Sequence, residues 1–230
     1  MQKNQGTIQK FDTPAPIAAV LDIPIGHIRL VAADRADTTV EVLPAHPSRS
    51  RDVKAAELVT VAYDNGVLRV ESPAERKQML GHPGTLEVTV ELPAGSRVEA
   101  KAAVAEVRGV GRLGDVTFEG AQCTVEFDET ASARLTLATG DITVGRLNGP
   151  AEITTDKGDL TITEAHHGTV TLTTQHGDIT VGAAQGVSAT LDAGTSYGRI
   201  KNSLKNSDGA AAGLDIHATT AYGNITAAGL

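Results

Sequence analysis

The sequence predicts an all-β fold: a stacked parallel β-solenoid with two strands per coil of about 18–20 residues, joined to a more irregular N-terminal β region that contains a hairpin. Three observations carry this expectation. A short phrase recurs through the second half, with marker glycines at 140, 158, 177, 198 and 223, spaced by 18, 19, 21 and 25 residues. The segments around each glycine alternate apolar and polar residues at period 2, as half-buried strands do. Helix signals are nearly absent, the best one, near Ala74 to Leu80, being hemmed in by Pro73 and Pro83.

From the N-terminus, Met1 is followed by a polar stretch, Gln2 to Lys10, and residues 1–12 read as a flexible tail, followed by the N-terminal β region (13–100) and the repeats (101–230), in one continuous domain. Gly26-His27-Ile28-Arg29-Leu30 is an early echo of the repeated phrase. The stretches Leu58 to Tyr63 and Val67 to Val70 flank Asp64-Asn65-Gly66, a strong hairpin signal. Leu86 to Leu92 alternates cleanly before Pro93-Ala94-Gly95. The basic stretch Ser48-Arg49-Ser50-Arg51 is expected in a solvated loop.

The repeat proper aligns Thr139-Gly140-Asp141-Ile142-Thr143-Val144 with Lys157-Gly158-Asp159-Leu160-Thr161-Ile162 and His176-Gly177-Asp178-Ile179-Thr180-Val181. Weaker copies begin at Tyr197 and Tyr222. Stacked in sequence order, Ile142, Leu160, Ile179, Ile200 and Ile225 form one inward column, with Leu135, Ile153 and Leu172 facing it and Thr pointing outward. A rival reading makes Lys157-Gly158 and His176-Gly177 the turns of antiparallel hairpins. It sets Asp156 opposite Asp159 and does not explain why one strand text recurs.

Composition narrows the function. The chain is 40% hydrophobic but only 3% aromatic, with no Trp, so its core is built from Val, Ile, Leu and Ala in thin repeated layers. A net charge of −8 works against any general attraction to nucleic acid. No run of apolar residues is long enough for a membrane span or a secretory leader, and Cys123 is the single cysteine, so the expected location is the cytoplasm.

The text Val90-Glu91-Leu92-Pro93-Ala94-Gly95-Ser96-Arg97-Val98-Glu99-Ala100, followed by reiterated Gly-Asp-Ile-Thr-Val, resembles the bacterial DUF4097 family, a group of β-strand repeat proteins whose name implies adhesion. The resemblance implies a fold and brings no catalytic motif.

The candidate chemistry sits at the repeated corner. Asp141, Asp159 and Asp178 form a column that could offer oxygens to a cation or serve as the carboxylates of a carbohydrate-active enzyme. The same residues commonly satisfy neighbouring backbone amides after a Gly turn, and no metal or other cofactor is expected. The column before the glycine, Thr139, Lys157, His176, Tyr197 and Tyr222, gathers two of the three tyrosines on one edge and suits either a contact surface or edge packing. His166 and His167 come near His176 if the solenoid turn brings them together. No nucleophile elbow, zinc-binding helix or phosphate loop is present. The expectation is a non-catalytic interaction or scaffold protein binding a protein partner or itself, with a carbohydrate-active enzyme or small-ligand binding protein as the alternatives. The last repeat in the sequence is expected to end the stack, leaving Ile216 and Ile225 open to a second subunit or partner strand.

Overall fold

A computed structural model of the chain describes residues 7–73, 84–207 and 209–230. The weak helix signal near Ala74 to Leu80 lies outside the described residues. Among those residues, seventeen strands form one continuously hydrogen-bonded sheet that winds as a solenoid. Each coil contributes one strand to each of two faces, and from Gly140 onward the two are joined at a glycine corner. Parallel pairing in register settles the choice against hairpins: Ile153 lies beside Leu135 on one side and Leu172 on the other, and Leu160 lies between Ile142 and Ile179.

The long strand Arg97–Thr139 winds through successive turns of the stack. After it come Ile142–Leu147, Ala151–Lys157, Leu160–Ala165, Gly168–His176 and Ile179–Ala183, in order. Inward residues alternate with outward ones, so Ile142, Val144, Leu160, Ile162, Leu172 and Ile179 are all at most 1% exposed. Outside, charges 18 residues apart meet on adjacent coils, as in Lys101–Glu119 at 3.2 Å and Arg146–Glu164 at 3.0 Å.

The parallel stack reaches further toward the N-terminus than the repeated text suggests. Strands Ala18–Asp22 and Ile25–Ala33 pair in parallel with the winding strand, and on their other side with Val67–Glu71 and Leu86–Pro93. The echo at Gly26 to Leu30 therefore marks a true coil, with Ile28 between Val88 and Val107. Antiparallel strands close this end: Thr60–Asp64 pairs with Val67–Glu71 through the Asn65-Gly66 turn, both residues at positive φ, and Asp37–Pro44 pairs with Leu86–Pro93.

Two expectations about the N-terminal region are corrected. Thr7–Asp12, placed in a flexible tail, is a strand in full antiparallel register with Asp37–Pro44. The basic stretch expected in a loop begins a helix, Ser50–Leu58, which takes Leu58 from the anticipated strand. What holds this helix is Asp52, fully buried, whose carboxylate accepts the Thr85 amide at 3.1 Å and faces His46 Nδ1 at 3.3 Å. Burial opposes its charge, but the Thr85 amide and the His46 and Arg51 side chains outweigh it and hold its carboxyl below the usual range.

The other end departs from sequence order. Strand Leu214–Tyr222 pairs with Gly168–His176 on one side and with Ala189–Tyr197 on the other. Ile225–Gly229 lies likewise between Ile179–Ala183 and Ile200–Ser203. The repeat that comes last in the sequence is thus slotted inside the stack, and coil 189–203 ends it. Ile216 and Ile225, expected to be open, are each 1% exposed, whereas Ile200 is 45% exposed. The long spacings of 21 and 25 residues have a physical cause: residues 184–188 must climb past one coil, and residues 204–213 must lead the chain back. Within a regular step, two residues between Leu160–Ala165 and Gly168–His176 suffice.

Candidate functional site

From Gly140 onward the coils turn their corners through a glycine because the corners approach too closely there for a side chain. At Gly158, with φ of +148°, an added Cβ would lie 2.0 Å from the Gly140 carbonyl oxygen, and Gly177 meets the Gly158 oxygen in the same way. The residues on either side of these glycines are consequently held in straight columns.

The column after the glycine is a ladder of Asx side chains. Asp141 Oδ1 accepts the Asp159 amide at 2.8 Å, Asp159 Oδ1 the Asp178 amide at 2.7 Å, and Asp178 Oδ1 the Asn224 amide at 2.7 Å. Asn224 Oδ1 then accepts the Arg199 amide at 3.1 Å. One oxygen of each aspartate is therefore committed to the backbone of the next coil. Asn224 does the same work without a charge. Arg199, on the end coil, has no side-chain oxygen with which to continue the ladder.

The column before the glycine is aromatic at the end of the stack, in a different order from the one expected. Tyr222 lies between His176 and Tyr197. The His176 and Tyr222 rings are stacked with centroids 5.0 Å apart and planes within 6°, and Tyr222 and Tyr197 are 4.9 Å apart within 3°. All three are exposed, Tyr197 more than Tyr222, at 68% against 51%. Lys157, beside His176 in register, extends the column along the stack.

The structure does not bring His166 and His167 to His176. They sit just beyond the opposite end of strand Gly168–His176, roughly 30 Å away at 3.3 Å per residue. His166 instead faces Glu164, at 3.4 Å.

Sequence reasoning missed two features here. Thr174, Thr220 and Thr195 point inward and donate their hydroxyls to the carbonyls of Gly158, Gly177 and Gly223 at 3.0–3.1 Å. Their constant place two residues before the aromatic column was the available signal. The second is the end coil itself, on which Leu191 and Ala193 are only half-buried; the unequal glycine spacings could have pointed to it.

No helix among the described residues is long and apolar enough to cross a membrane.

Comparison with known proteins agrees with this architecture. The family described as Toastrack DUF4097 matches residues 96–227. No curated protein matches the sequence. A "putative adhesin" from Bacteroides fragilis shares the fold at a TM-score of 0.56 and 14% identity, covering 98% of each chain. A "putative adhesin" from Parabacteroides distasonis, with 96% of each chain covered, has 13% identity and a TM-score of 0.48. A "putative lipid binding protein" from the same species, with 97% of each covered, has 10% and 0.45.

Proposed function

The chain belongs to the DUF4097 Toastrack family, and from that premise we propose that it is a non-catalytic binding protein that uses the coil 189–203 end of its solenoid to hold a protein partner, a second copy of this chain. The observation that carries the reading is the ring column His176–Tyr222–Tyr197, which ends on an exposed tyrosine face beside two strand edges with no further partner among the described residues. Stacked tyrosines on a rigid frame lose little entropy on contact and offer apolar area with a polar tip. The commitment of Asp141, Asp159 and Asp178 to backbone amides supports a structural role for that column over an acid–base one.

The size of the end constrains the partner. A strand of nine residues is about 30 Å long and the two faces are about 10 Å apart, so the end presents about 300 Å². A stable interface needs about 800 Å² from each partner. A contact confined to the end is therefore weak, and the partner we propose also runs along the ring column toward Lys157.

The test is sedimentation velocity of the purified chain over a concentration series, alone and beside Tyr197→Ala and Ile200→Asp. Reversible association that either substitution weakens at least about ten-fold, with the fold intact by circular dichroism, supports the reading. Association that neither substitution touches removes this end as the contact surface.

A further inference from the structure

Coil 214–229 occupies a slot between two coils that precede it in the sequence. Its flanking coils meet it in the same register on both sides. Val170, Ile216 and Leu191 align, as do Leu172, Ala218 and Ala193, then His176, Tyr222 and Tyr197, then Ile179, Ile225 and Ile200. Coil 189–203 therefore carries the residues needed to lie directly on coil 168–183, where sequence order would place it. Withdrawal of coil 214–229 leaves two surfaces that fit each other.

The connection leading into this coil is suited to such a movement. Within this connection Asn206, Ser207, Gly209, Ala211 and Gly213 are exposed, and Leu204 packs against the core at its start. At ten residues the connection spans up to about 33 Å when extended, several times the spacing of one coil. The slot makes few demands that only its own chain can meet, because it is built of parallel ladder bonds, a Thr hydroxyl to a Gly carbonyl and an Asx oxygen to an amide, all repeated from coil to coil.

We propose that coil 214–229 is an exchangeable donor: it fills the slot of its own chain and can fill the slot of a second copy, linking the two by coil exchange. Exchange of an identical element needs no new interface, since every contact in the linked pair already exists in the single chain. This mode of association does not depend on the exposed end being a contact surface, and it leaves Tyr197 outermost in both copies.

The test uses Thr173 and Thr219, outward-facing partners across the slot. Adjacent strands place their Cα atoms about 4.8 Å apart, within the range a disulfide spans. In a Cys123→Ala background, one copy carries Thr173→Cys and a second, differently tagged, carries Thr219→Cys. The two are mixed, incubated and oxidised, then resolved without reductant. The expected result is a covalent heterodimer at least about ten-fold above a control pair of Thr143→Cys with Thr219→Cys, while a single chain carrying both Thr173→Cys and Thr219→Cys closes its own disulfide and stays monomeric. A doubly substituted chain that closes while the mixture gives no more heterodimer than the control overturns the exchange. A doubly substituted chain that fails to close overturns the slot itself.

Discussion

Single side chains at the coil corners carry hydrogen bonds between coils, so substitutions there have chemically specific consequences. Asp159→Ala removes the acceptor of the Asp178 amide and should cost about 1 kcal/mol in urea unfolding. Asp159→Asn should cost less than half of that, because Asn224 already makes the same bond two coils along the stack. An Asn variant as damaging as Ala would mean that the negative charge, and not the acceptor, is what the ladder uses. On the strand that follows, Ile142 is 1% exposed and Thr143 points outward. Ile142→Asp should unfold the chain, whereas Thr143→Val should change stability by less than about 1 kcal/mol. Far from the corner, Arg35 first and Lys10 second hold the Asp37 carboxyl down to about 2 by hydrogen bonding, where Arg35 also meets Glu91. The lowered value makes this tie between the N-terminal strands fully present above about pH 4, the range of a free carboxyl, and lost as the pH falls through about 2. A thermal midpoint followed from pH 5 to pH 2 should therefore fall less steeply in Asp37→Asn than in the parent chain.

Elements differ in how many neighbours they have, and stability should follow that count. Leu214–Tyr222 is paired on both edges and buries Leu214, Ile216 and Ala218, whereas Ala189–Tyr197 is paired on one edge and buries only Ala189. Hydrogen exchange should show the amides of Leu214–Tyr222 protected well beyond those of Ala189–Tyr197. Equal protection would mean that something covers the end coil in solution. The difference also explains what was legible beforehand. Strand identity, the inward aliphatic column and the parallel stacking could be read from period and recurrence, since each coil repeats the same local rule. The helix Ser50–Leu58 could not, because it rests on one buried carboxylate, Asp52, reaching across to Thr85. The strand Thr7–Asp12 looks polar because it is an edge strand, and its partner, Asp37–Pro44, is distant in sequence.

Across the whole molecule, aliphatic residues stack in register, Val88, Ile28 and Val107 toward one end and Val125, Ile142, Leu160, Ile179, Ile225 and Ile200 toward the other. At both ends the stack departs from sequence order in the same manner: coil 18–33 lies inside residues 67–93, and coil 214–229 lies inside coil 189–203. Similar repeats cannot announce their own order, because each fits the next equally well, so the candidate rings were legible as a set while their sequence along the stack was not. The spacings of the glycines held that information as connection length. The order at the exposed end determines which ring is outermost and which coil can exchange, and an NMR measurement of contacts between the three rings tests it most directly. The Tyr222 ring should give nuclear Overhauser effects to both His176 and Tyr197, with none between His176 and Tyr197. Effects from Tyr197 to both His176 and Tyr222, with none between His176 and Tyr222, would place the repeats in sequence order and contradict the slot.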